Sequence, residues 1–393
     1  MSGPLRTQVA IIGAGPAGLF LAHLLRRANI DAVVLETRDR EHVQQRVRAG
    51  VLEQSTADLM DALGIGARLR RDGLVHAGVN IAVGDDLFRI DLKAPTGGGT
   101  VTVYGQQEVM KDLYGAADER GLRMIFEAGD ARLHDFEGAH PFVTYTHDGA
   151  ARRLDCDFIA GCDGFHGISR KSIPSSALKI EERNYPFGWL GILADVPPVG
   201  SELIYASHSN GFALASMRSP ARSRYYLQCD LGDELAAWPD ERFWDELCRR
   251  LGPAGEQVTR APSIEKGIAA VRSFLAEPMR HGRLFLAGDA AHILPPIGAK
   301  GMNLAVSDVL VLSQVLEEFC RNGSDSILNS YGVRALPRVR RAESFSRSFL
   351  EMTHRFEDSG PDRKAQLAQL RDLQTSVTAQ AAFAQNYVGS PLN

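Results

Sequence analysis

The spacing of apolar and polar positions changes several times along this chain, and each change marks an element. "VAII" (Val9 to Ile12) is a short apolar run rich in β-branched residues, which predicts a buried strand. Gly13, Gly15 and Gly18 follow, and the stretch from Pro16 to about Ala28 reads as a helix. "AVVLE" then predicts a second strand ending at Glu36. Two later apolar runs, "CDFIAG" (156–161) and "GRLFLAG" (282–288), read as strands that end in Asp163-Gly164 and Gly288-Asp289. "GFALASMRS" (211–219) and "SRYYLQCDL" (223–231) predict two strands joined by the turn-like "SPAR". Residues two apart share a sheet face, so Ser216 and Arg218 are expected on one face of the first strand, and Arg224 and Tyr226 on one face of the second. From about Ser324, a helix N-cap by type, charged amphipathic helix dominates, with Pro361 and Pro391 as punctuation. No internal repeat interrupts this order.

Composition narrows the function classes. At 393 residues the chain can bury a large core and form two or three domains. The formal charge is 44 − 48 = −4 with no basic run, which gives no sign of a nucleic-acid or anionic-membrane surface. No apolar stretch reaches the roughly 18 residues of a membrane span. "MSGPLRTQ" passes directly into the first strand, so no secretory leader is expected. The five cysteines form no CxxC or zinc spacing. Reduced, buried thiols in the cytoplasm and no metal site are the expectation.

The strand–glycine–helix–strand unit carries the first chemistry. In G-x-G-x-x-G, Gly13 allows a tight turn, Gly15 lets backbone approach a pyrophosphate, and Gly18 lets helix and strand pack closely. The helix presents its N-terminal amides to phosphate, and Glu36 suits a ribose hydroxyl. An adenine dinucleotide is therefore expected, although this fingerprint alone does not choose between FAD and NAD(P). Three strand-end Gly/Asp motifs spread over the chain suit an extended FAD better.

The glycine motif, Asp163-Gly164 and "GDAAHILPPIGAKGMN" (288–303) together resemble the aromatic-ring hydroxylases, the single-component flavoprotein monooxygenases. "RAGVLEQ" (48–54), "RDGLVHAGV" (71–79), "TVTVYGQ" (100–106), "CDGFHGISR" (162–170), "RNYPFGWLG" (183–191) and "QNYVG" (385–389) extend the resemblance over essentially the whole chain. It implies an α/β fold with a Rossmann-like, discontinuous FAD-binding domain (1–75, 100–180 and 270–320). An inserted β-sheet substrate domain (76–99 and 181–269) and a C-terminal helical region (321–393) complete the plan. It also implies NAD(P)H as transient electron donor, O2 as co-substrate, a flavin C4a-hydroperoxide as oxygen donor and a homodimer. The implied reaction takes 4-hydroxybenzoate to 3,4-dihydroxybenzoate.

The same resemblance assigns residues. Arg218, Ser216 and Tyr226 would hold the substrate carboxylate, for which a bidentate Arg is best suited. The spacing alone would equally describe an exposed Arg–Ser pair on a hairpin. Tyr205 would bond the substrate hydroxyl, Tyr387 would be its partner, and His76 would link the pair to solvent, a role suited to a near-neutral pKa. The Pro296 carbonyl would lie near the substrate hydroxyl and the flavin. Gly13, Gly15, Gly18, Glu36, Arg46, Val47, Arg48, Ala49, Gly50, Val51, Gln106, Asp289, Lys300, Met302 and Asn303 would bind FAD, with Lys300 adding positive charge. His166, Arg170 and Arg272 would touch NAD(P)H.

Two departures from the family pattern stand out. Thr37 and His42 replace an Arg and a Tyr expected in NADPH-preferring members. Arg38 or Arg40 could still meet a 2′-phosphate, and the reading leans slightly to NADPH. Ile297 replaces a small hydroxyl residue, which bears on a water contact near the flavin. Three alternatives remain: a hydroxylase of another phenolic acid such as 3-hydroxybenzoate, a flavin-free NAD(P)-dependent dehydrogenase, and a non-enzymatic FAD-fold escort protein. Product analysis, a yellow colour and NAD(P)H oxidation with an aromatic acid, respectively, would separate them.

Overall fold

A computed structural model describes residues 5–45, 50–357 and 360–392. Four parallel strands (Val9–Ile12, Ala32–Leu35, Phe158–Gly161 and Leu284–Leu286) form the centre of a six-stranded sheet, flanked by Arg123–Ile125 and Arg280–His281. The first helix, Pro16–Arg27, has Gly15 as N-cap and Pro16 at its first turn, where a missing N–H costs nothing. It packs against the long helix Lys300–Asn322, and both bury aliphatic faces in one core with the sheet.

A second sheet of eight strands lies beside the first. Its strands are drawn from 78–91, 179–277 and 292–293, in the order His292–Ile293, Glu265–Glu277, Lys179–Ala194, Arg222–Asp230, Gly211–Ser219, Ile204–His208, Gly78–Val83, Asp86–Asp91. Strict alternation gives it two separate faces. Ala213, Ala215, Tyr225 and Leu227 face the helix Asp240–Arg250 through Phe243, Trp244 and Leu247. Trp189, Tyr205, Phe212 and Leu214 face the C-terminal helices Ser330–Thr353, Arg363–Thr375 and Val377–Val388.

The predicted hairpin is present, with Ser219 paired to Arg222 around a two-residue turn. Its alternation is interrupted, however. Met217 pairs with Ser223 and Ser219 with Arg222, so Arg218 is one residue more than its neighbour strand supplies. Such a bulge re-aims the side chain it carries. Ser324 does begin a helix, the short Asp325–Leu328, while Pro337 sits inside the helix Ser330–Thr353. Cys156, Cys162 and Cys229 are buried free thiols; against expectation, Cys320 is exposed.

Candidate active site

The parallel strands end in register. Gly161 is level with Ile12 and Leu286, and Ile12 with Leu35. Gly13, Asp163, Gly288 and Glu36 therefore emerge along one carboxyl edge, where ligands of open α/β sheets bind. A Cβ on Gly13 would fall 2.5 Å from the Cys162 carbonyl oxygen, and one on Gly18 1.9 Å from that of Gly13. A Cβ on Gly15 would meet nothing within 4 Å. Two glycines thus serve packing, and the middle one opens onto space at a helix N-terminus. Glu36 accepts the Ala14 N–H at 2.9 Å, which brings its carboxylate to the same turn. This cradle fits the pyrophosphate and ribose of FAD. Gln106 begins the helix Gln106–Glu119 and Asp289 lies in the turn after Leu286; both are half-buried.

Arg46, Val47, Arg48 and Ala49 lie outside the described residues. Gly50 is fixed by packing, since a Cβ there would come 2.1 Å from the Tyr104 carbonyl. The expectation for Lys300 needs correction. Its ammonium is fully buried and donates to Glu53 at 2.7 Å and to the Tyr387 carbonyl at 2.8 Å, while Arg338 holds the other Glu53 oxygen at 2.9 Å. One carboxylate thus serves two cations, so Lys300 is tied to the strand Val51–Glu53 while a net positive charge remains beside Glu53. Asn303 is likewise engaged: it donates to Val51 and Ala299 carbonyls and accepts from the Glu53 N–H and the Thr56 hydroxyl. It ties the entrance of the helix Lys300–Asn322 to the strand Val51–Glu53. Met302 is half-buried one residue earlier. Glu53 was missed by sequence reasoning, although an acid closing an apolar strand is a visible signal.

Pro296 is exposed, and its carbonyl accepts the Ala299 N–H at 3.1 Å, closing a turn through Gly298 at φ +76°. Ile297 is wholly buried in the core beside Tyr205 and Tyr387. Its side chain therefore acts through packing.

On the inner face of the eight-stranded sheet, Tyr205 and Tyr387 hydroxyls meet at 2.7 Å, each residue 1% exposed. Burial pushes Tyr205 up to about 12 and Tyr387 well above its usual range, so both keep their protons at neutral pH. His76, closing the strand Leu74–His76, is buried with both ring nitrogens unpartnered among the described residues. Burial pulls it down to about 4, against the near-neutral value expected, and it makes no direct bond to the tyrosines.

Arg218 lies against Tyr226 and bonds to no carboxylate among the described residues, although the charge of Glu265 reaches it. One nitrogen donates to the Met217 carbonyl at 3.1 Å, and its Nε is buried without a partner. Burial holds its pKa below the usual guanidinium range. An unpaired, desolvated guanidinium calls for an anion. Ser216 donates to the Arg224 carbonyl at 2.9 Å beside it. Tyr205 pairs with Leu214, and Leu214 with Tyr226, in adjacent strands. Tyr205 and Tyr226, the neighbour of Arg218, thus share a face two strand spacings apart, roughly 10 Å. That separation suits a ring held at both para positions.

A third cluster gathers residues from distant segments. Arg170 and Arg272 both lie over the Phe165 ring, at 4.6 and 3.8 Å, and His166 is exposed next to it. Arg38 is exposed beside Glu36, whereas Arg40 is committed to a two-pronged pair with Asp118 at 2.6–2.9 Å.

This geometry defines a flavoprotein of the FAD-binding monooxygenase family, and the chain belongs to it: the sequence family described as "FAD binding domain" matches residues 6–346. The p-hydroxybenzoate hydroxylase of Acinetobacter baylyi is 50% identical to it over 98% of this chain and 96% of the relative. A probable NADH-specific resorcinol 4-hydroxylase of Rhodococcus jostii is 25% identical, over 86% of this chain and 64% of its own length. Among solved structures, the fold matches p-nitrophenol 4-monooxygenase PnpA of Pseudomonas putida with a TM-score of 0.82 at 17% identity, covering 98% and 99% of the two chains.

Proposed function

We propose that this protein hydroxylates 4-hydroxybenzoate at the 3 position to give 3,4-dihydroxybenzoate, consuming one NAD(P)H, one proton and one O2 and releasing NAD(P)+ and water. The observation that carries this reading is that the buried Arg218, set against Tyr226 and bonded to no carboxylate among the described residues, lies in the strand next to the one that carries Tyr205 and its partner Tyr387. The 50% identity to a p-hydroxybenzoate hydroxylase supports it.

FAD, when bound along the carboxyl edge, supplies the redox chemistry and the electrophilic oxygen. The chain's own groups position and protect. Arg218 neutralises the carboxylate with a fork of N–H donors, and Tyr226 and Ser216 flank it. Tyr205 bonds the substrate hydroxyl; because both tyrosines are protonated at rest, the pair cannot store the phenolic proton and passes it on only by Tyr205 giving its own proton to Tyr387 as Tyr387 releases one onward. His76 lies beyond direct reach in this arrangement, so its part in the proton path needs a bridging water. The apolar walls of Ile297, Phe212 and Leu214 exclude bulk water. NAD(P)H is assigned to His166, Arg170 and Arg272, with Arg38 as the remaining candidate for a 2′-phosphate and a slight preference for NADPH. The domain limits expected from sequence, a cytoplasmic location and a homodimer belong to the same proposal.

Oxygen uptake with 4-hydroxybenzoate, run in parallel with NADH and NADPH and followed by chromatography of the product, tests it. The expected product is 3,4-dihydroxybenzoate. Turnover of 3-hydroxybenzoate alone, or no substrate-stimulated NAD(P)H oxidation, would overturn it.

A further inference from the structure

Two arginines meet at the carboxylate end of the site, and they differ in what holds them. Arg218 bonds to no acid among the described residues and feels Glu265 only through its charge. Arg224 lies over the Tyr226 ring at 5.3 Å and donates to Glu265 at 2.8 Å. Arg224 and Glu265 both register with Leu193, one on each side, so the pair bridges the strand Lys179–Ala194. The glycine at 191 leaves room for it: a Cβ there would come 2.9 Å from the Tyr226 ring and 3.2 Å from an Arg224 nitrogen. The two guanidinium groups are otherwise equivalent in chemistry and share Tyr226 as neighbour.

We propose that Glu265 is a specificity-determining residue: by neutralising Arg224 it leaves one positive charge, that of Arg218, for one aromatic carboxylate. This rests on the reading of Arg218 as the carboxylate clamp. Without Glu265, two neighbouring forks would face the same anion and hold it more tightly. The hydroxylated product keeps the same carboxylate, so the balance that limits substrate affinity also limits retention of product.

The test uses the FAD-loaded enzyme, titrated with 4-hydroxybenzoate and with its neutral analogue 4-hydroxybenzamide while flavin absorbance is followed. In Glu265→Gln, Kd for the benzoate is expected to fall about three- to tenfold with a steeper salt dependence, and Kd for the benzamide to stay level. Glu265→Asp keeps the charge and should remain within about twofold of wild type. At 41% side-chain exposure, Glu265 can be replaced without opening the core. An unchanged or reduced benzoate-to-benzamide preference in Glu265→Gln overturns the role. A wild-type enzyme with no preference for the benzoate would instead show that the Arg218 clamp itself is wrong.

Discussion

Between Met217 and Ser219 one strand carries a residue its neighbour cannot match, and that residue is Arg218. Its guanidinium stays without a bonded acid in a desolvated place, where substrate binding supplies the missing anion. Arg218→Ala is expected to raise KM roughly ten- to 150-fold, from about 1.5–3 kcal/mol for a charged hydrogen bond. Initial-rate kinetics would show it, and an unchanged KM would exclude the clamp. Tyr205→Phe removes one hydroxyl of a 2.7 Å pair without a change in shape. That variant should bind 4-hydroxybenzoate, hydroxylate it more slowly and release hydrogen peroxide. Full coupling of NAD(P)H to product would refute the proton role. Both residues could be picked out by type and motif, but neither the bulge nor the buried hydroxyl contact could be. Each depends on what a neighbouring strand or helix places opposite.

Elements hold these residues in place through contacts distant in sequence. The helix Lys300–Asn322 is docked by Asn303 to the strand Val51–Glu53, about 250 residues earlier in the chain. Asn303→Ala would leave the Val51 carbonyl and the Glu53 N–H without their partner, at about 1–3 kcal/mol for each buried group. A lower urea midpoint with weakened FAD retention is the expected result; a midpoint equal to wild type would show that water replaces the amide. The glycine fingerprint was legible because its chemistry is local: three glycines and a strand end specify one turn. Lys300 was not, because a cation in a Gly-rich loop looks available until Glu53 and Arg338 are seen beside it.

The whole molecule also carries a pH signature. Burial holds His76 and His23 down to about 4 and His354 to about 3, below the ordinary 6.5. Between those values the unfolded chain binds more protons than the folded one, so their contribution is complete above 6.5 and is lost as pH falls toward 4. His292 works in the opposite sense. Burial lowers it, but the charge of Asp308 at 2.6 Å raises it overall, so its contribution fades as pH rises through its folded value. His208 is also lowered by burial, so with four groups against one, Tm is expected to drop between pH 6.5 and 4.5. Differential scanning fluorimetry in matched ionic strength checks this, and a flat Tm over that range would contradict the buried neutral state of these rings.

The dinucleotide turn and the strand-end Gly/Asp motifs were legible along the chain, because turns, strand periods and glycine spacing are set by neighbours in sequence, whereas the substrate-end residues were legible only through the family resemblance. Which charges find a partner is settled by the fold in three dimensions. Arg218 is left without a bonded acid, Arg224 and Arg40 each bond an acid brought from another segment, and Lys300 shares Glu53 with Arg338. Charge pairing is a property of distance in space, and a one-dimensional pattern does not contain it.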